Sequence, residues 1–193
     1  MFTPPDNEAG WSYWKRRSSG FIDKYCSGPV ILDVGYSGGD GNDAPGLPHA
    51  VGVDLGYPGY DGVHLPFEDG TVDTVFSSHC LEHITNWLGT IMDWHRVLRI
   101  GGFIVCVVPH QYLYERRLSL PSRFNPDHKR FYTPSSLLAQ FESALTPNSY
   151  RVRHLSDNDA NFDYSRGPDL PPTGRYEIEC VVEKIKTPSW SMS

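Results

Sequence analysis

The chain has 193 residues, an ordinary globular balance of apolar and charged residues, and a formal net charge of −6. That length suits one domain with a sizeable core, and five Trp with eleven Tyr argue against long disorder. The acidic balance speaks against a nucleic-acid groove, which needs a basic face, and no apolar run approaches the ~18 residues of a membrane span.

Residues Phe2 to Glu8 read as a loose arm without the charged and apolar regions of a signal peptide. From Ala9 to Tyr25, Trp11, Trp14, Ile22 and Tyr25 recur near helical spacing. Ser18-Ser19-Gly20 interrupts them, which predicts two short helices. Ser27-Gly28-Pro29 ends that segment. Val30 to Val34 is a short apolar run feeding the glycine-rich stretch Gly35 to Gly41, as a buried parallel strand feeds a tight loop. Ala50 to Leu55 predicts a second strand, Val63 a very short one, and Thr71 to Ser78 a further full strand.

Ile84, Trp87, Leu88, Ile91, His95 and Leu98 then share a helical face, and Gly101-Gly102 predicts the helix stop. Phe103 to Val108 is a buried strand ending at Pro109. Thr133-Pro134 opens another helix, with threonine as cap and proline in the first turn. Tyr150 to Leu155 and Tyr176 to Ile185 read as closing strands, the last with Glu177, Glu179 and Glu183 on a solvent-facing side. The order predicts an α/β fold: a mostly parallel, doubly wound sheet covered by helices, with an antiparallel C-terminal edge hairpin. Ligands of such sheets bind at the carboxyl ends of the strands, after Val34, Asp54, Phe76 and Val108.

Cys26, Cys80, Cys106 and Cys180 form no Cys-x-x-Cys pair and read as free thiols, which suits a cytoplasmic protein. A glycine turn directly after the first strand lets backbone approach a ligand. About 20 residues on, Asp54 ends the next strand, where a nucleotide fold places an acid for ribose hydroxyls. The glycine spacing also fits a short-chain reductase. That chemistry needs a tyrosine with lysine four residues later, and no tyrosine here has one.

Asp33-Val34-Gly35, Asp54, Leu65 to Asp73, Ser78-His79-Cys80-Leu81-Glu82-His83 and Arg96 to Gly102 stand in order along the chain. Together they resemble the successive signatures of class I S-adenosylmethionine-dependent methyltransferases, in the branch called type 11, from about Val30 to Pro109. The resemblance implies a Rossmann-like sheet and S-adenosyl-L-methionine as cofactor. It implies that Gly35, Tyr36, Ser37 and Gly38 wrap the methionine part and that Asp33 helps hold its amino group. Asp54 would take the ribose, Leu55 would lie against the adenine, and Asp61 would meet the adenine amino group. His64 and Leu65 would flank that ring, and Ser77, Ser78 and His79 would line the space near the sulfonium methyl. Ser37 stands where the family commonly has glycine. The helices usual after the glycine loop and after Asp54 have no room here, so a more open cofactor pocket is expected.

For a hydroxyl acceptor a base must take the proton, and histidine suits this at neutral pH. His110 and His128 are the preferred candidates, with His79 third; His83 is expected to face packing or a helix cap. No ligand spacing points to a metal. Tyr112, Tyr114, Arg116, Arg117, Arg123, Lys129 and Arg130 suit a sugar ring or a phosphorylated carrier. The expected organisation is one domain over 1–193, with an N-terminal helical arm (1–28) and an acceptor-side insert (110–133). The expected activity is methyl transfer to a small molecule or glycan, on a sugar hydroxyl. A catalytically inactive methyltransferase-like binding protein, and a methyltransferase of protein or nucleic acid, remain as alternatives.

Overall fold

The computed structural model describes residues 8–36, 47 and 49–190. Six strands form one sheet in the order β2-β1-β3-β4-β6-β5. They are β1 (Ile31–Val34), β2 (Val51–Val53), β3 (Val72–Ser78), β4 (Leu98–Pro109), β5 (Tyr150–Asn158) and β6 (Glu177–Lys184). β2, β1, β3 and β4 pair in parallel, whereas β6 runs antiparallel to β4 and β5 to β6. The closing hairpin expected from the sequence is therefore present. The strand suggested at Val63 is absent: residues 54–71 hold turns only.

Side chains alternate across a strand, and that alternation divides the core into two layers. Leu32, Val34, Val75, Ile104, Cys106, Val108, Ile178 and Cys180 face α3 (Trp87–Val97) and α4 (Pro134–Ala144), meeting Ile91, Trp94, Leu137 and Phe141. Ile91 and Leu137 are fully buried there, each stabilising the fold by about 1.5–3 kcal/mol. On the other face Ile31, Phe76, Val105 and Val181 meet Tyr13, Ile22 and Tyr25 of α1 (Glu8–Ser18) and α2 (Phe21–Tyr25). The break between these two helices falls at Gly20, whose φ of 77° only glycine adopts without strain.

Thr133 caps α4 as the sequence predicts: its side chain accepts from the Ser136 N–H, and the Ser136 hydroxyl accepts from the Thr133 N–H. Asn86 caps α3 by accepting from the Gly89 N–H. The expected stop of α3 at Gly101-Gly102 is incorrect. The helix ends at Val97 and Leu98 already begins β4. The exposed carbonyls of His95, Arg96 and Leu98 are taken by the Lys184 ammonium at 2.9, 3.2 and 2.7 Å, a cation at the negative end of the helix. The two glycines instead let β4 approach β3: a side chain at Gly102 would stand 2.8 Å from the Asp73 carbonyl.

The second correction concerns β6. Glu177 and Glu179 do lie opposite Ile178 and Cys180 on the strand, yet both are buried. The face they share is covered by α1, and Arg16 of that helix meets both carboxylates, at 2.5 and 2.8 Å.

Candidate active site

The chain leaves β1 to one side for β2 and returns on the other for β3, so a crevice opens between the ends of β1 and β3. Gly35 forms its floor. Its φ is 91°, its N–H donates to the Val53 carbonyl at 2.8 Å, and a Cβ there would stand 2.7 Å from the Cβ of Cys80. Only glycine permits that approach. Asp54 stands on the adjoining rim. One of its oxygens accepts from the Leu55 N–H at 2.7 Å, which shapes the turn, and among the described residues no donor meets the other. Gly35, Asp54, Leu55, Tyr60, Asp61 and His83 line a single cleft of about 380 Å³. Leu55 offers an apolar face that is 74% exposed.

Asp61 shapes its own turn, accepting from the N–H groups of Val63 and His64 and pairing with His64 Nδ1 at 2.9 Å. These bonds, led by the His64 side chain, hold the Asp61 carboxyl well below the usual carboxylate range and raise the His64 imidazole above its usual value. Leu65 does not flank the cleft as expected: it is buried in the core, and its N–H donates to Asp93 at 2.7 Å. His64 projects into solvent beside it. Asp33 is buried below the glycine turn and accepts from the Leu47 N–H at 3.2 Å. Tyr36 places its carbonyl against Gly52, where a side chain would come within 2.7 Å. Ser77 is buried inside β3, and Ser78 pairs in register with Val107; neither lines the cleft. Ser37 and Gly38 lie outside the described residues.

Beyond β3 the fold gathers titratable groups. His79 adopts a positive φ of 53°, and its Nε2 lies 3.0 Å from Glu177 Oε1. Burial opposes ionisation of Glu177, but Arg16 and then His79 outweigh it and hold this carboxyl well below the usual range. An ionised Glu177 only accepts, so the His79 Nε2–H donates to it. His128 is buried. Its Nδ1 is hydrogen-bonded to Glu115, whose other oxygen accepts from Ser122 at 2.5 Å.

His110, one of the two preferred bases, sits apart. Its Nδ1 accepts from the Tyr112 N–H at 3.1 Å, and its Nε2 lies 3.5 Å from Asp157. Burial lowers its pKa, but the neutral ring has no lone pair left to take a proton. Of the two expectations for His83 the cap does not hold, since Asn86 caps α3, whereas the packing does: its ring meets that of His128 edge to face, and the residue also lines the cleft.

The loop between β4 and α4 presents aromatic faces. Tyr114 packs against Tyr176, Phe124 and His128, and Tyr112 is largely exposed. Three of its arginines are otherwise engaged. Arg116 donates to the carbonyls of Arg166 and Gly167, Arg123 pairs with Asp169, and Arg130 donates to the carbonyls of Leu81, Ile84 and Thr85. Sequence reasoning missed Arg16, Glu115 and Glu177 as members of this site. It quoted Glu82 without a role, although His79, Glu82 and His83 stand three and four residues apart, as neighbours on one turn do.

Residues 47–106 match the family model described as a methyltransferase domain. A protein of Mycolicibacterium smegmatis named "Probable S-adenosylmethionine-dependent methyltransferase" is 27% identical over 153 residues, covering 69% of this chain and 59% of that protein. Residues 47–106 are thus similar to a methyltransferase domain, in keeping with the signatures the sequence resembles.

The name of that relative gives S-adenosylmethionine as its cofactor and methyl transfer as its chemistry. A demethylmenaquinone methyltransferase of Staphylococcus saprophyticus is 39% identical over 51 residues, 26% of this domain's chain and 22% of its own. The chain thus spans less than two thirds of the length of these curated relatives. The fold superimposes on a SAM-dependent methyltransferase from Archaeoglobus fulgidus with a TM-score of 0.58 at 13% identity, over 90% of this chain and 94% of that one. The residues at the cleft would fit the parts of S-adenosylmethionine. A free carboxylate oxygen at Asp54 suits vicinal hydroxyls, the bare backbone at Gly35 suits a closely held chain, and the Leu55 face suits a purine. Among the described residues no helix is long and apolar enough to cross a membrane.

Proposed function

We propose that this domain transfers the methyl group of S-adenosylmethionine to a hydroxyl oxygen of a small molecule or glycan, a sugar hydroxyl above all. The observation that carries the reading is the meeting of Gly35 and Asp54 at one cleft, with the His79–Glu177 pair at the end of the next strand. Asp54 binds the ribose, Gly35 lets the methionine portion lie against the backbone, and Leu55 covers the adenine. When bound, the cofactor supplies a methyl carbon already activated by its sulfonium.

His79 acts as the base. The imidazole takes the acceptor's proton while oxygen–carbon bond formation and carbon–sulfur cleavage proceed in line, and Glu177 holds the ring and stabilises the imidazolium. The aromatic faces of Tyr112 and Tyr114 support a sugar ring as acceptor, by stacking. The commitment of Arg116, Arg123 and Arg130 to partners within the chain gives a phosphorylated carrier less support than a neutral glycan. The net charge of −6 supports a small acceptor over nucleic acid. Four free cysteines support the cytoplasm as its compartment.

Turnover of the purified protein with labelled S-adenosylmethionine against a panel of sugars and small alcohols tests this reading. Methyl ether products are expected. His79→Ala should lower kcat by about 10²–10⁴-fold and leave cofactor affinity nearly unchanged. Products methylated only on nitrogen, or full turnover in His79→Ala, would overturn it.

A further inference from the structure

Glu82 is 1% exposed, and among the other described residues none donates a hydrogen bond to either of its carboxylate oxygens. A buried carboxylate in that state is costly, and proteins keep such groups paired or on a metal. Three imidazole nitrogens face its Oε1: His83 Nε2 at 3.7 Å, His128 Nε2 at 3.9 Å and His79 Nδ1 at 4.0 Å. These separations are too long for hydrogen bonds. They approach those of atoms sharing an ion, since two ligands each about 2.1 Å from a tetrahedral centre lie roughly 3.4 Å apart. The donor atoms of Glu82, His83 and His128 all lie within 4.8 Å of one another.

The surroundings are those of a ligand set. A metal-binding histidine gives its other nitrogen to a carboxylate, which fixes the ring and its tautomer. His128 does so with Glu115, itself held by Ser122. The rings of His83 and His128 meet edge to face with centroids 4.8 Å apart. Charge points the same way. Glu82 and Glu115 are both 1% exposed, and among the described residues no lysine or arginine pairs with either. Arg130, the nearby guanidinium, spends its donors on backbone carbonyls. A dication would match the charge that these two carboxyl groups carry when ionised.

We infer that Glu82, His83 and His128 bind one divalent transition ion, zinc by donor set, with a fourth position left for water. Two imidazoles and one carboxylate are a known zinc ligand set, and the absence of thiolate and of further carboxylates argues against softer ions and against calcium. The inference does not depend on the transfer reading, and its test needs neither cofactor nor acceptor.

The full chain, stripped by a chelator, is titrated with Co²⁺ and followed by visible absorption. One equivalent should give the d–d bands of a four- or five-coordinate ion, and Zn²⁺ should abolish them. Glu82→Gln, nearly isosteric, and His83→Ala, at a partly exposed position, should each weaken binding by more than about a hundredfold. Glu115→Gln should cost about tenfold to a hundredfold. His154→Ala, a histidine elsewhere on the sheet, should leave binding unchanged. Circular dichroism checks that each variant is folded. No bands with the wild-type chain, or equal affinity in folded Glu82→Gln and His83→Ala, would overturn the assignment.

Discussion

Asp54 and Asp61, on the cleft, take their backbone hydrogen bonds from residues one to three positions away, whereas Arg16 reaches Glu177 across 161 positions and His79 reaches the same carboxylate across 98. The two regions lie at neighbouring strand ends and are built by opposite means. The cleft consists of turns whose acids satisfy the backbone beside them, and its polar groups remain in contact with water. The polar cluster consists of charges from five separate segments, buried together by the sheet and by α1. Water screens the first region, so each pair there contributes little. In the second, loss of one partner leaves a buried charge exposed to low dielectric.

The largest consequence belongs to Arg16. Arg16→Met removes the cation from Glu177 and Glu179, both buried against α1. Denaturant unfolding should report a loss of about 3–5 kcal/mol, the cost of an unpaired buried charge. A loss below about 1 kcal/mol would mean that the cluster is as well solvated as the cleft, and the contrast would disappear.

The smaller consequence belongs to Asp61 and His64, which are both exposed. The His64 pKa is raised, so its contribution is complete below the ordinary histidine value near 6.5 and is lost as pH rises through the raised value. The Asp61 pKa is depressed, so its contribution is present above the ordinary carboxylate range and is lost as pH falls through the depressed value. The turn is therefore best held between those limits and loosens first on the alkaline side. An NMR titration of the His64 ring should give a midpoint above 6.5 that falls back in Asp61→Asn and drops with added salt. A midpoint unchanged by Asp61→Asn would remove the pair as a determinant of the turn.

The same contrast separates what could be read in the sequence from what could not. Strand alternation, the Thr133 cap, the break at Gly20 and the closing antiparallel hairpin are local patterns and were legible. So was the acid at the end of β2, because its spacing from the glycine turn is set by one strand–loop–strand unit. The end of α3 was misread because Lys184, 87 positions beyond Val97, does the work a glycine cap would do. Glu177 and Glu179 were expected in solvent because alternation shows which residues share a face, not what covers it; here α1 does. His110 was preferred as a base from its place at the end of β4. Only coordinates reveal that the Tyr112 N–H already occupies its lone pair.

Calorimetric titration of S-adenosylhomocysteine into the wild-type chain and into Asp54→Ala tests the central claim most directly. Asp54 bears a carboxylate oxygen left free at the cleft beside Gly35. The account predicts one site per chain and a loss of about 1.5–3 kcal/mol in the variant, roughly tenfold to a hundredfold in affinity. Equal affinity in the two proteins, or no binding by the wild type, would contradict it.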